Sequence, residues 1–406
     1  MPPMARVSST WLAGRWRQAS AGALGLALVL LAVPGTEAHK GITSKYNYNE
    51  HIFPILRDRC GRCHVEGGPA PMSLLTYNSA IPWAESMREQ LIGQKMPPWY
   101  ADPTGPAVKG GHAITTKELD MLLTWAVGGT PQSTESSFMG TKAPNGDAPP
   151  APVVSLLSQW NAGPPDLKIA MDTAYTVPAG TIDDACEMVV STGLTEPAWV
   201  NAVDFMPGAP SMVRDALISV DGGPILAAWV PGHEATRAPS GAAFRLPAGA
   251  KLRLKIHYKK NWQDEQKEIA DRSTVGLYFT EEPLSGRAVE ALDVAAPAAA
   301  AVSLAPRTFG GSFTTGGRVV GLRPSFDQAY ASAEIVAVAP SGRRVTLLKL
   351  RSPQPQWLRR YWLQEPIELP QGTKIEVTAI PAPPDDFAIP IPKRYALQVG
   401  IDYVAQ

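Results

Sequence analysis

Cys60-Gly61-Arg62-Cys63-His64 is the stretch whose residue types and spacing carry the most chemistry. Two thiols three positions apart on one turn can each form a thioether to a vinyl group of haem. The histidine that follows can reach the iron from one side, and this spacing is the attachment sequence of a c-type haem. The same two cysteines would make half of a zinc site, but zinc needs two further Cys or His ligands, and the third cysteine of the chain, Cys186, stands far from them in sequence. The spacing therefore predicts one covalent haem c, attached through Cys60 and Cys63, with His64 on the iron. A thioether sulfur is a suitable sixth ligand for a low-spin, electron-transferring haem and raises its potential relative to bis-histidine ligation. Met96 is the candidate, because Pro97 and Pro98 stiffen the chain that follows it. Met72 is the rival, but it lies so close behind the haem motif that filling the core is its expected role.

These residues must be positioned by helices. Ile52, Phe53, Ile55 and Leu56 predict a short helix over residues 50–59, started or bent at Pro54, that leads into the motif with His51 on its outer face. A loop follows at Gly67-Gly68-Pro69-Ala70-Pro71. Ser79 is placed to cap a helix running through Trp83, Met87 and Leu91 to Gly93. Thr115 and Glu118 form a capping box for a last helix, in which Leu119, Leu122, Leu123 and Ala126 recur at helical spacing before Gly128-Gly129 ends it.

The whole chain bounds the rest. Its 406 residues leave room for two or three domains, and 37 basic against 37 acidic residues give zero formal charge, so nothing in the balance points to nucleic acid as a partner. Forty prolines and 35 glycines, with few helix-length periodic segments after the first third, favour β-rich domains joined by turns. Arg6, Arg15 and Arg17 precede an apolar run, Ala21 to Val33, that reads as an export signal over residues 1–38 with cleavage after Ala38. The run is shorter than a stable membrane span, although an uncleaved anchor is the alternative. Either way the remainder faces the periplasm or the exterior. Cleavage would make His39 the new N-terminus, and a mobile end is preferred there to a copper-chelating one. Residues 135–163, rich in Ser, Pro, Ala and Gly, read as a flexible linker. Beyond them, Leu252, Leu254, Ile256 and Tyr258 alternate with Lys251, Arg253, Lys255, His257 and Lys259, the mark of a half-buried strand. That alternation puts His257 on the polar face among lysines, solvated.

Two resemblances add to this. Residues 39–134 resemble a small class I cytochrome c, and the stretch from Phe53-Pro54-Ile55-Leu56 through Ala70-Pro71-Met72-Ser73-Leu74 and Tyr77 to Met96-Pro97-Pro98-Trp99 looks like the cytochrome module of bacterial multidomain proteins. From about residue 164 onward, the motifs run in an order that resembles the copper type II, ascorbate-dependent monooxygenase family of peptidylglycine alpha-hydroxylating monooxygenase and dopamine beta-hydroxylase. They are Pro164-Pro165-Asp166-Leu167, Tyr175-Thr176-Val177-Pro178, Val203-Asp204-Phe205 with Pro207-Gly208, Trp229 before Pro231-Gly232-His233, and Leu246-Pro247-Ala248-Gly249 leading to His257-Tyr258. Trp357 with Tyr361, Glu365-Pro366 and Leu369-Pro370-Gln371-Gly372-Thr373 look like the family's second half.

The resemblance implies an all-α cytochrome c domain followed by two all-β jelly-roll-like sandwich domains, over residues 164–290 and 291–406, facing each other across a cleft. It also implies copper sites, one per sandwich, and here this chain departs from the pattern. His257 matches a first-domain ligand, but the expected paired histidines are Arg214 and Asp215, and the expected Pro-His-x-His reads Pro324-Ser325-Phe326-Asp327. No methionine follows Met212. One histidine cannot hold copper tightly, so His257 marks only a residual copper-ligand position, copper is not expected, and Arg214 and Asp215 could pair where the metal would sit. Cys186, where relatives have a disulfide cysteine, has no partner in the chain once haem takes the other two, and burial in the sandwich is its expected fate.

The sequence expectation is thus an exported electron-transfer cytochrome whose β-rich module serves in docking or scaffolding. Its partners would be redox proteins, within a membrane-associated complex or free of one. The alternative is a copper-dependent monooxygenase acting on a small organic substrate with electrons from the haem, which would need further ligands such as His39, His112 or His233 brought in by folding.

Overall fold

The computed structural model describes residues 43–98, 100–110, 113–133, 156–232, 235–239, 241–282, 288–298, 302–383 and 395–405. The export signal, most of the linker, Trp99 and the histidines His39, His112 and His233 lie outside the described residues.

Apolar residues at helical spacing build the first part. Asn47 accepts a hydrogen bond from the Glu50 amide at 2.9 Å and opens a helical run of three successive pieces, Tyr48–Ile52, Phe53–Ile55 and Leu56–Cys60, which ends at the haem motif. Tyr77–Ala80 and Ala84–Ile92 follow, with a single tight turn, Ile81–Trp83, between them. The cap of this run is Thr76, not Ser79: the Thr76 hydroxyl accepts from the Ser79 amide, and Ser79 is the reciprocal member of a capping box. Thr116–Val127 is capped by Thr115 and Glu118 in the arrangement that their spacing predicts. These helices share a small core of Tyr48, Ile52, Leu56, Leu74, Leu122 and Trp125. The first and last helices are held in register by the Ser44 amide on the Gly128 carbonyl, 2.8 Å, and the Tyr48 amide on the Pro131 carbonyl, 2.9 Å.

The expected layout of an all-α domain followed by two jelly-roll-like sandwiches is not what forms. Among the described residues strands dominate, the longest helices have nine and twelve residues, and the helical segment does not close on itself. After Pro98 the chain leaves the helices and pairs with distant strands, the Asp102 amide donating to the Lys349 carbonyl and the Lys109 amide to the Trp362 carbonyl, both at 2.8 Å. Tyr100 is 2 % exposed and belongs to a strand-built core, as do Val65 and Leu75 of another. Proline-rich chain with few helix formers satisfies its backbone in extended pairing wherever an edge is offered. That need overrides the helical pattern on either side.

Among the described residues, four antiparallel, blade-like sheets of four or five strands stand in place of that layout, with Tyr175–Val177 and Ile269–Asp271 forming a two-stranded pair. The first sheet orders Leu167–Ala170, Thr274–Thr280 and Ala198–Met206, and Thr236–Arg237 and Phe244–Leu246 both pair with the last of these. The second orders Asp183–Ser191, Lys251–Lys259, Val213–Val220 and Ile225–Trp229. The third orders Val289–Ala295, Gln398–Ala405, Gly317–Ser325 and Tyr361–Leu369. The fourth orders Arg307–Phe313, Thr373–Pro381, Tyr330–Val338 and Arg344–Arg351. Alternate apolar residues of the first two sheets fill one core, and those of the last two fill another.

Arg360 ties these layers together. Its guanidinium donates to the carbonyls of Ile225 and Leu226 and packs over the rings of Phe244 and Trp362. It also pairs with Asp402 at 2.9 Å, and Asp402 is shared with Arg323 at the same distance. The end of the expected flexible linker is held in place: Leu157 is buried, the Asn161 amide donates to Asp204 at 2.7 Å, and the Gly163 carbonyl accepts from Tyr278 at 2.6 Å.

Candidate haem-attachment turn

The turn at the end of the first helical run brings Cys60, Cys63 and His64 together. The amides of Cys63 and His64 both donate to the Cys60 carbonyl, at 3.0 and 2.9 Å, so all three side chains leave one tight turn. Gly61 is required there, since a Cβ would stand 2.7 Å from the Arg57 carbonyl oxygen and 2.9 Å from Leu75. Both cysteines are free thiols. Burial pushes Cys60 up to about 12 and Cys63 up to about 11, so both are protonated, reduced thiols at pH 7.

His64 is prepared as a ligand. Its Nδ1 lies 3.3 Å from the Met72 carbonyl oxygen, and a ring that donates there leaves Nε2 as the atom able to bind iron. Burial lowers its pKa, against the opposing effect of that hydrogen bond, so the imidazole is neutral at pH 7. Two neutral thiols and one neutral, oriented imidazole on a single turn fit a covalent haem c.

The same hydrogen bond separates the two methionines. Residue 72 lies on the His64 side of the turn, and its side chain packs with Cys60 against the helical core. Met96 follows the end of helix Ala84–Ile92 and is 36 % exposed.

Around Cys63 the strands come close. Its Sγ lies 3.3 Å from the Pro231 carbonyl oxygen, and Arg62 donates to the Gly232 carbonyl at 3.2 Å. Gly232 has φ +79°, and a Cβ there would stand 2.8 Å from the Arg62 Cβ and 3.3 Å from the Cys63 sulfur. Arg359, Arg214 and Arg62 all act on the Cys63 thiol electrostatically. Sequence reasoning missed this contact. The available signals were a Pro-Gly turn at 231–232 and a pair of arginines, Arg359-Arg360, inside an otherwise apolar stretch.

The expectations for the residual copper position need two corrections. His257 is not solvated: it is 6 % exposed, with Nδ1 2.8 Å from Asp215 Oδ2 and Nε2 3.5 Å from Asp183 Oδ2. The strand alternation is real, but the polar face at this end of the second sheet is covered by the segment carrying Tyr395, whose hydroxyl donates to Asp215 Oδ1. Nor do Arg214 and Asp215 pair with each other. Arg214 is the extra residue where the register with the neighbouring strand shifts between Val213 and Asp215, and it donates to the Ser211 carbonyl at 2.9 Å and to Asn261 Oδ1 at 3.1 Å. Cys186 is half-buried, its sulfur 3.5 Å from the Tyr258 hydroxyl, with burial raising its pKa.

No family model matches the chain, and no curated protein matches it. Solved structures offer weak likenesses. An allantoicase is 8 % identical over 53 % of this chain and 76 % of its own, with TM-score 0.19. A Paenibacillus xanthan lyase is 10 % identical over 59 % and 26 %, with TM-score 0.17. The PBSX exported protein XepA is 11 % identical over 56 % and 89 %, with TM-score 0.15. Likenesses at this level carry no argument about fold or function. No described helix is long and apolar enough to cross a membrane.

Proposed function

We propose that this chain is an exported c-type cytochrome that transfers single electrons to and from redox partner proteins, with its strand-built part serving as the docking frame for the haem-bearing turn. The observation that carries the reading is the geometry at residues 60–64: two neutral thiols and a neutral imidazole leave one turn, and the Met72 carbonyl orients the ring so that Nε2 is available to iron. Haem bound there supplies a reversible one-electron couple. Cys60 and Cys63 would hold it covalently, and His64 and Met96 would ligate its iron, Met96 being the methionine whose carbonyl is not bonded to His64. The contacts of Cys63 with Pro231 and of Arg62 with Gly232 fasten the turn to the strands, so electrons would enter and leave through a rigid surrounding.

The test is metal content. Full-length protein expressed with export and haem maturation, exposed to copper and dialysed extensively, is expected to hold one iron and no copper per chain. Absence of covalent haem overturns the cytochrome reading. One or two retained coppers replace the docking frame with a monooxygenase.

A further inference from the structure

Tyr48 carries a polar group that the packing of the helical core does not need. The residue is 2 % exposed, and its ring is enclosed by Phe53 and Trp125, each 6.1 Å away between centroids, and by Tyr77 at 5.6 Å. Its amide donates to the Pro131 carbonyl at 2.9 Å, so backbone and ring are both fixed. A phenylalanine would fill the same space. The hydroxyl instead reaches a residue 26 positions along the chain, donating to the Leu74 carbonyl at 2.9 Å in a buried bond. Burial raises the pKa of the phenol, which keeps it a neutral donor.

Leu74 is the point at which this bond can act on the histidine. Residues 71–76 belong to no helix or strand, so individual hydrogen bonds must hold them. The Leu74 amide donates to the His64 carbonyl at 3.1 Å, and its carbonyl accepts from Tyr48, so residue 74 is pinned from both sides. Two positions earlier, the Met72 carbonyl oxygen lies 3.3 Å from His64 Nδ1. That separation is already at the long end of the N–H···O range, and a drift of the segment by a few tenths of an ångström would lose the bond. We propose that the Tyr48 hydroxyl is a positioning group for His64: by holding the Leu74 carbonyl it keeps the Met72 carbonyl on Nδ1, and through that bond it sets the haem potential. The inference rests on the haem reading above and deepens it, because it gives control of the potential to a residue outside the attachment motif. An imidazole that donates from Nδ1 is a more basic ligand at Nε2, and a more basic ligand favours the ferric state. Loss of the Tyr48 bond therefore raises the potential, the opposite sign to loss of a thioether ligand.

The experiment uses full-length, exported, haem-matured protein and the variants Tyr48→Phe and Tyr77→Phe. Tyr77 is the control: its hydroxyl also donates to a carbonyl beside the same core, at 3.0 Å, but that carbonyl belongs to Thr130, beyond the last helix. Haem per chain is measured first, then midpoint potential, then exchange of the His64 Nδ1 proton with solvent by NMR of the reduced protein. Tyr48→Phe is expected to retain one covalent haem, to show a raised midpoint potential and to exchange the Nδ1 proton faster than the parent. Tyr77→Phe matches the parent in both properties, although it too loses a bond from a phenol to a carbonyl. An unchanged potential in Tyr48→Phe overturns the positioning role while leaving the cytochrome intact. Equal shifts in the two variants would trace to a general loosening of the core and overturn it as well. Unprotected exchange of the Nδ1 proton in the parent overturns it with no variant needed, so the test survives a Tyr48→Phe chain that fails to fold. A parent chain without covalent haem overturns the cytochrome reading, and the inference with it.

Discussion

The sulfur of Cys63 lies 3.3 Å from the carbonyl oxygen of Pro231, a residue 168 positions later in the chain. That contact makes the turn of Cys60, Cys63 and His64 part of a strand-built frame, and the consequences can be measured.

Gly232→Ala tests the seam. The residue has φ +79°, and a Cβ would crowd both Arg62 and Cys63. The left-handed backbone and the clash together should cost about 1–3 kcal/mol. Denaturant unfolding of the haem-loaded protein should show this loss with haem content unchanged. An undiminished midpoint would mean that the turn and the frame are not joined here.

Met96→Ala tests the sixth ligand. Loss of a thioether should lower the midpoint potential and abolish the spectroscopic signature of methionine ligation, while Met72→Ala keeps both. The reverse pattern would transfer the role to Met72, in spite of its carbonyl being bonded to His64.

His257→Ala tests the buried pair with Asp215. Removing the imidazole leaves a carboxylate of 1 % exposure with the Tyr395 hydroxyl, and breaking a buried pair from one side should cost about 3 kcal/mol. Haem absorption and potential should not change. Altered haem spectra would mean that this residue communicates with the cofactor.

Glu118 gives a pH-dependent expectation. Burial raises its pKa, but hydrogen bonds from the Thr115 amide and hydroxyl and from Arg59 outweigh this and hold it below the ordinary glutamate value. A carboxylate with a depressed folded pKa stabilises the protein at higher pH and loses that contribution as pH falls through the folded value. Acid unfolding should therefore steepen below about pH 4.5, and Glu118→Gln should flatten that limb. An identical acid profile for the variant would show that the Arg59 contact at 3.1 Å contributes nothing.

Legibility differed by the range of the interaction. That Cys60, Cys63 and His64 leave one turn could be read because the motif is complete within five residues, and the Thr115–Glu118 capping box because it spans three. Alternation from Lys251 to Lys259 correctly placed Leu252, Leu254, Ile256 and Tyr258 inside. It misplaced His257, because period-two patterning tells which face a residue is on and not whether a segment such as the one bearing Tyr395 covers that face. The all-α domain failed for a related reason. The helices at 48–60 and 116–127 exist, but the chain between them, around Tyr100 and Val108, pairs with strands some 250 residues away.

The turn that carries Cys60, Cys63 and His64, the Thr115–Glu118 capping box and the strand-rich second part were legible in the sequence alone, since each depends on neighbours within a turn or a strand. Only the tertiary structure decided which cations surround Cys63, that Asp215 serves His257 and not Arg214, and that residues 100–109 complete the sheets. Those outcomes depend on which groups meet after distant segments have buried their apolar faces, and charge and hydrogen-bond partners in the interior are chosen at that step, by proximity in space.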